Sequence, residues 1–267
     1  MTLKEILADK ELALHKKKSE LQKADFSGVL LETVQKAANN GISTLEVLVY
    51  EAIVKRDRNE EMFKQYINGW VLNHSVGMRY MKLLFCYDSD EAEYSQNKEN
   101  YDKYISEVIN KDDVEEYFWA ITEAKNIEGS AVVRGSNILT PVLKMDIIDE
   151  NTIRVKCAIS PSNIIDSHKD VHIPGLWKKS LSETKYDLLL QEHEMEFDMV
   201  IADSITGDLK TYTEIISVKE LLSKFQSKAV QDTLSRIKTE PSADTQKPVK
   251  QSNKALLEAL TNLQNKF

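Results

Sequence analysis

The sequence predicts an α+β protein: a mostly antiparallel, bent sheet or a small β-barrel with flanking helices. Strand-like apolar runs outnumber helical ones, and the helices do not alternate regularly with strands as a parallel sheet would require. Hydrophobic residues make up 42% of the 267 residues, which is enough for a substantial core. We expect a helical extension over 1–43, an α+β domain over 44–225 and a scaffold-like tail over 226–267.

The predicted strands are runs rich in β-branched, aromatic and leucine residues, bounded by polar or glycine-containing segments. In chain order they are 44–54, 70–86, 117–125, 130–133, 141–147, 152–159, 186–193 and 209–216. Gly77 lies inside the longest run, where a glycine typically marks a kink or a bulge.

Helices are predicted where apolar residues recur at helical spacing beside a capping or stop signal. They occupy 2–23, the segment from Ser27 to Gly41, 59–68, part of 88–110, 174–181, 218–237 and 255–267. Residues 238–253 hold two prolines and almost nothing to bury, so they predict a linker that is easily cleaved. The leucine-rich helix that follows suits docking on a partner or on its own domain.

Charge and composition exclude several classes of function. The net charge of -8 argues against nucleic acid as a main ligand, because phosphate binding needs basic residues. No apolar run reaches the roughly 20 residues of a membrane helix, and the N-terminus lacks the apolar core of a signal peptide. Cys86 and Cys157 are far apart and predict two reduced thiols. We expect a cytoplasmic protein.

A serine nucleophile needs a base within hydrogen-bond reach, and the base needs an orienting partner. His74 is adjacent to Ser75, but successive side chains on a strand point to opposite faces, so another histidine must serve. His193 is the candidate because it ends an apolar run, and its acidic neighbours should face away from it. Glu128 is the first choice as the orienting carboxylate, with Glu123 in reserve.

Four motifs over roughly 44–217 resemble the prohead serine proteases of tailed bacteriophages, which belong with the herpesvirus assemblins. An "SxG" element is matched at Ser75 to Gly77, and an "E-x-S-x-V" element begins at Glu128. A "D…DVxxPG" turn is matched over 166–175, and His193 follows as the family's catalytic histidine does. In the family the histidine segment precedes the serine segment, so the order here indicates a circular permutation.

The resemblance implies that Ser75 is the nucleophile, His193 the general base and Glu128 the acidic member. It implies a maturation endopeptidase that needs no cofactor and that cleaves scaffold protein, major capsid protein and itself inside the prohead, in the host cytoplasm. A homo-oligomer is possible. Permutation preserves folded contacts when the old termini lie close together, and here 137–151 must bridge them.

Two alternatives stay open. His168, His172 and His193 are three imidazoles that could hold a catalytic zinc ion, although the first two share a face only on a helix and the Pro174-Gly175 pair predicts a turn. The other is a catalytically inactive scaffold or capsid-assembly protein on the same fold. Its charged N-terminal helix and leucine-rich C-terminal helix would bind partners.

Overall fold

The computed structural model describes residues 36, 41–137 and 139–224, which form two β-sheets with short helices. The predicted α+β class is confirmed. One sheet is antiparallel and four-stranded, the other is mixed and five-stranded, and neither closes into a barrel within the described ranges. The predicted N-terminal extension, apart from residues 36 and 41–43, and the predicted tail over 226–267 lie outside the described residues.

Nine strands and four α-helices make up the described fold. The strands are β1 Thr44–Lys55, β2 Asn73–Tyr87, β3 Tyr117–Val132, β4 Val142–Asp149, β5 Thr152–Pro161, β6 Asp170–His172, β7 Leu188–Gln191, β8 Val200–Asp203 and β9 Leu209–Ser217. The helices are α1 Glu60–Ile67, α2 Ser95–Tyr104, α3 Lys178–Glu183 and α4 Val218–Ser223. In the described part of the chain, no helix combines the length and apolar character that crossing a membrane requires.

The antiparallel sheet has the strand order β4-β5-β1-β9, and its central strand β1 is buried on both faces over much of its length. Leu48 and Tyr50 of β1 contribute to a core cluster shared with the mixed sheet. Val47 and Val49 belong to a second cluster, on the side of α4. A strand that is buried on both faces reads as a continuous apolar run, which is the pattern of the 44–54 segment.

The mixed sheet has the order β2-β3-β7-β8, with β6 also paired to β3. Strand β3 runs unbroken over 16 residues, so the prediction of two separate strands was wrong. Asn126, Glu128 and Gly129 interrupt the apolar pattern, so the sequence did not indicate one continuous strand. Gly129 lies in the strand because the Tyr50 ring approaches it so closely that an added Cβ would be 2.7 Å from the ring.

Several local predictions are confirmed. The register between β2 and β3 shifts after Gly77, so the expected irregularity is present. Helix α1 begins after Asn59, whose side chain accepts a hydrogen bond from the Met62 N–H at 2.9 Å and so caps the first turn. The 137–151 segment contains β4, which pairs antiparallel with β5 at one edge of the first sheet.

Other boundaries differ from the prediction. Helix α3 begins at Lys178, because Gly175 has φ +86° and the preceding residues form a turn. The short strands β6 and β8 were missed because three- and four-residue strands carry little periodicity. Strand β7 ends at Gln191, two residues before the predicted end.

Candidate functional site

The mixed sheet brings three distant segments together on one face. In the antiparallel pairing of β2 with β3, Ser75 lies opposite Ser130 and Gly77 lies opposite Glu128. Directly opposed residues share a face, and their Cα atoms are roughly 4.5–5.5 Å apart. Strand β7 pairs in parallel with the same part of β3, and the turn that follows it carries His193.

Within this group His193, Glu128 and Ser130 are directly hydrogen bonded. The Nδ1 atom of His193 lies 2.7 Å from Oε1 of Glu128. The Ser130 hydroxyl donates to the other carboxylate oxygen, Oε2, at 2.5 Å. The same hydroxyl accepts the backbone N–H of His193 at 3.1 Å. The carboxylate is buried, whereas the imidazole side chain is 41% exposed, so the pair opens to solvent through the histidine.

Gly77 provides the space that the Glu128 carboxylate occupies. A Cβ atom added to this glycine would lie 2.1 Å from Oε1 of Glu128, far inside van der Waals contact. A side chain at residue 77 would therefore displace the carboxylate oxygen that contacts His193. The site therefore requires the glycine of the "SxG" element because it lacks a side chain, and this requirement is separate from backbone flexibility.

The turn that carries His193 has an unusual backbone. Glu192 and His193 have φ values of +49° and +62°, in the left-handed region that non-glycine residues rarely adopt. The Glu192 N–H donates to the Ala131 carbonyl at 3.0 Å, and its Oε1 accepts the Val133 N–H at 2.6 Å. Strand alternation, on which the expected direction of Glu192 depended, does not apply here, because this residue belongs to a turn and its N–H binds β3.

The Glu128 carboxylate raises the pKa of His193 above its ordinary value of 6.5, chiefly through their hydrogen bond. Burial opposes this shift because it disfavours the charged imidazole. With Nδ1 bound to the carboxylate, Nε2 is the nitrogen left for a proton from a hydroxyl. Ser75 is partly buried and lies opposite Ser130 on the same face of the sheet, and within the described residues no hydrogen bond joins its hydroxyl to His193.

His74 has a different environment from its neighbour Ser75, as strand alternation predicts. Its Nε2 lies 3.0 Å from the Tyr66 hydroxyl, and its Nδ1 lies 3.0 Å from the carbonyl oxygen of Thr140. The side chain is fully buried, and burial lowers its pKa to about 4. His74 is therefore a neutral core residue.

The reserve carboxylate, Glu123, lies in another ion-pair group. It accepts hydrogen bonds from Lys82 at 2.8 Å and Lys179 at 3.0 Å, and these contacts lower its pKa. Of the two candidate acids, Glu128 is the one that contacts His193.

The three histidines of the zinc alternative have separate surroundings. His168 is exposed in a turn, with Nδ1 3.8 Å from the Asp166 carboxylate. His172 is buried on β6 with Nδ1 2.7 Å from the Ser160 hydroxyl, and burial lowers its pKa to about 4. His193 binds the carboxylate described above. Among the described residues, no group of three or more His, Cys, Asp or Glu side chains could hold a metal ion.

Ser130 is the member of this site that sequence reasoning missed. A usable signal was present, because residues two apart on a strand share a face and Ser130 follows Glu128 by two. A groove of about 580 Å³ lies on the same sheet, between β3 and α3, and none of Ser75, Glu128 and His193 lines it. Arg79 lines this groove. Ser75, Gly77 and Arg79 are two residues apart along β2 and therefore lie on the same face of that strand.

Comparisons of the chain with models of protein families, with curated proteins and with solved structures find no match.

Proposed function

We propose that this protein is a serine endopeptidase whose nucleophile is Ser75, with His193 as general base and Glu128 as orienting acid. The observation that carries the proposal is the 2.7 Å contact between His193 Nδ1 and the buried Glu128 carboxylate, on the face that Ser75 shares. A buried carboxylate on one imidazole nitrogen fixes the tautomer and stabilises the imidazolium that forms during acyl transfer.

The reaction follows from these positions. Ser75 Oγ attacks the peptide carbonyl while His193 Nε2 accepts its proton, and the imidazolium then protonates the leaving amine. Water hydrolyses the acyl-enzyme with the same histidine acting as base. Glu128 holds Nδ1–H throughout the reaction. Because the neutral imidazole is the base, the raised pKa of His193 requires a pH above that value for full activity.

Ser75 is preferred to Ser130 as the nucleophile, although Ser130 lies closer to the acid–base pair. Ser130 is completely buried, and its hydroxyl proton is already donated to Glu128. A nucleophile must be reached by the substrate, and its proton must be able to pass to the histidine. Ser75 is partly exposed on the edge strand of the sheet.

The biological setting that we propose is maturation of a phage prohead, with cleavage of scaffold protein, capsid protein and the chain itself. The support is the resemblance of the motifs at Ser75, Glu128 and His193, which all belong to one sheet despite their permuted order. The groove beside the site adds room for an extended polypeptide.

The test is self-truncation of the full chain. Wild type and Ser75→Ala are expressed and aged side by side, and their intact masses are compared over time. The wild type should lose mass at discrete bonds, with 238–253 as the expected region, and Ser75→Ala should stay intact. A fluorophosphonate probe should label the wild type and leave the variant unlabelled. Identical intact masses for both chains would favour the non-enzymatic scaffold.

A further inference from the structure

The Ser130 hydroxyl contacts both halves of the acid–base pair. It donates to Oε2 of Glu128 at 2.5 Å and accepts the backbone N–H of His193 at 3.1 Å. The carboxylate thus has one oxygen on Ser130 and the other on the imidazole. A single buried side chain therefore contacts both the acid and the backbone of the residue that carries the base.

We propose that Ser130 is a positioning residue, which holds the Glu128 carboxylate and the His193 turn in the one geometry that pairs them. This inference rests on the proposed peptidase function and extends it to a residue that does not touch the substrate. Ser130 acts through hydrogen bonds on two sides, so its loss would loosen the acid and the base together.

The backbone of the turn explains why such a contact is needed. Two successive residues, Glu192 and His193, adopt left-handed conformations that cost energy in side-chain-bearing residues. Three hydrogen bonds to β3 and to Val133, the residue after it, oppose that cost: two involve Glu192, and the third joins the His193 N–H to Ser130. The Ser130 bond is the one made at the catalytic histidine itself.

Burial makes the serine hard to replace. Ser130 and Glu128 are both inaccessible to bulk water, so a carboxylate oxygen or an N–H group that loses its partner has no ready substitute. Alanine removes the hydroxyl and leaves both partners unsatisfied. Cysteine keeps the approximate volume but forms weaker hydrogen bonds.

The experiment compares Ser130→Ala and Ser130→Cys with wild type. The matched control is Ser162→Ala, because Ser162 is also buried but its hydroxyl has no hydrogen-bond partner. We expect Ser130→Ala to slow self-truncation at least 10-fold, Ser130→Cys to be intermediate, and Ser162→Ala to match wild type. Thermal unfolding of each chain shows whether it is folded.

A second readout does not depend on activity. In histidine-labelled protein, the carboxylate-bound Nδ1–H of His193 should give a downfield proton resonance, which Glu128→Gln assigns by removing it. We expect Ser130→Ala to lose or broaden this resonance and Ser162→Ala to keep it. A sharp resonance in Ser130→Ala, or full-rate processing by a folded Ser130→Cys, would overturn the positioning role. The peptidase proposal fails separately, when wild type and Ser75→Ala give the same masses.

Discussion

Two histidines, His74 on β2 and His193 in the turn after β7, show how environment separates a candidate base from a core residue. His193 is partly exposed and binds a buried carboxylate, which raises its pKa. His74 is fully buried between a tyrosine hydroxyl and a backbone carbonyl, and burial lowers its pKa to about 4. The histidine that is adjacent to Ser75 in sequence is the one built into the core. Chemical role thus follows from the partners of the ring nitrogens.

Replacing each of these two histidines with alanine is the sharpest test of the difference between the candidate base and the core residue. His193→Ala should reduce self-truncation by roughly 10³-fold or more while leaving the protein folded, because the base is lost and the side chain is partly exposed. His74→Ala should instead lower the free energy of unfolding by about 2–4 kcal/mol, through a cavity and unpaired polar groups. Intact-mass kinetics and urea unfolding measure the two effects. If the two variants lost processing equally and were equally stable, the two histidines would not differ in role.

Removing the Glu128 carboxylate that binds His193 should make this histidine behave more like an ordinary exposed one. Glu128→Gln is expected to slow processing by about 10²–10⁴-fold, because the amide does not stabilise the imidazolium. The pKa of His193 should fall, so that the acidic limb of the pH–rate profile moves to lower pH. Glu123→Gln is the matched control, since its carboxylate binds lysines, and its profile should be unchanged.

Two glycine substitutions test the site and the core separately. Gly77→Ala should slow processing by about 10²-fold, because its Cβ would displace Oε1 of Glu128 and a shift of 1 Å at a catalytic group has such an effect. Gly129→Ala instead meets the Tyr50 ring and should cost about 1–3 kcal/mol of stability. Rates and unfolding midpoints are measured for both variants. A fully active Gly77→Ala would show that the carboxylate position is not critical.

The buried histidines should make stability depend on pH in the acidic range. The folded-state pKa values of His74 and His172 are about 4, against 6.5 in the unfolded chain. Their contribution is complete above pH 6.5 and is lost as the pH falls toward 4, at about 1 kcal/mol per histidine and pH unit. Urea unfolding at pH 7 and pH 5 should show the loss, and His74→Gln should reduce it. His193, with its raised pKa, contributes in the opposite direction.

The smallest effect is expected from metal removal. EDTA should leave processing unchanged, and so should His168→Ala, because His168 is an exposed residue away from the Glu128 contact. Intact-mass kinetics with and without chelator measure this. Loss of activity that added zinc restores would revive the three-histidine metal site.

Much of the fold was predictable because its longest strands carry strong apolar patterns. Strand β1 and helix α1 lie within one or two residues of their predicted bounds. The continuity of β3 was not predictable, because its central polar residues are satisfied by partners that are distant in sequence. The shorter β6 and β8 depend on pairing with longer strands, which local periodicity does not reveal.

The sequence predicted which residues form the candidate site better than it predicted the geometry of that site. The pairing of Glu128 with His193 followed from looking for an acid on another strand, and the structure places these two side chains in contact. The left-handed turn at His193 was not foreseen, because apolar residues lead into it and it contains no glycine to signal positive φ. The role of Ser130 could not be predicted without knowing the position of that turn.

The parallel pairing of β3 with β7 has a consequence for biosynthesis. Ser75 and Glu128 leave the ribosome well before His193, and β7 joins β3 through only three residue pairs. A nascent chain that ends before residue 193 carries a nucleophile and an acid but no base. The hydrolytic centre proposed above would therefore stay incomplete until the turn after β7 has been made, and the pairing of β7 with β3 would bring that turn to the site.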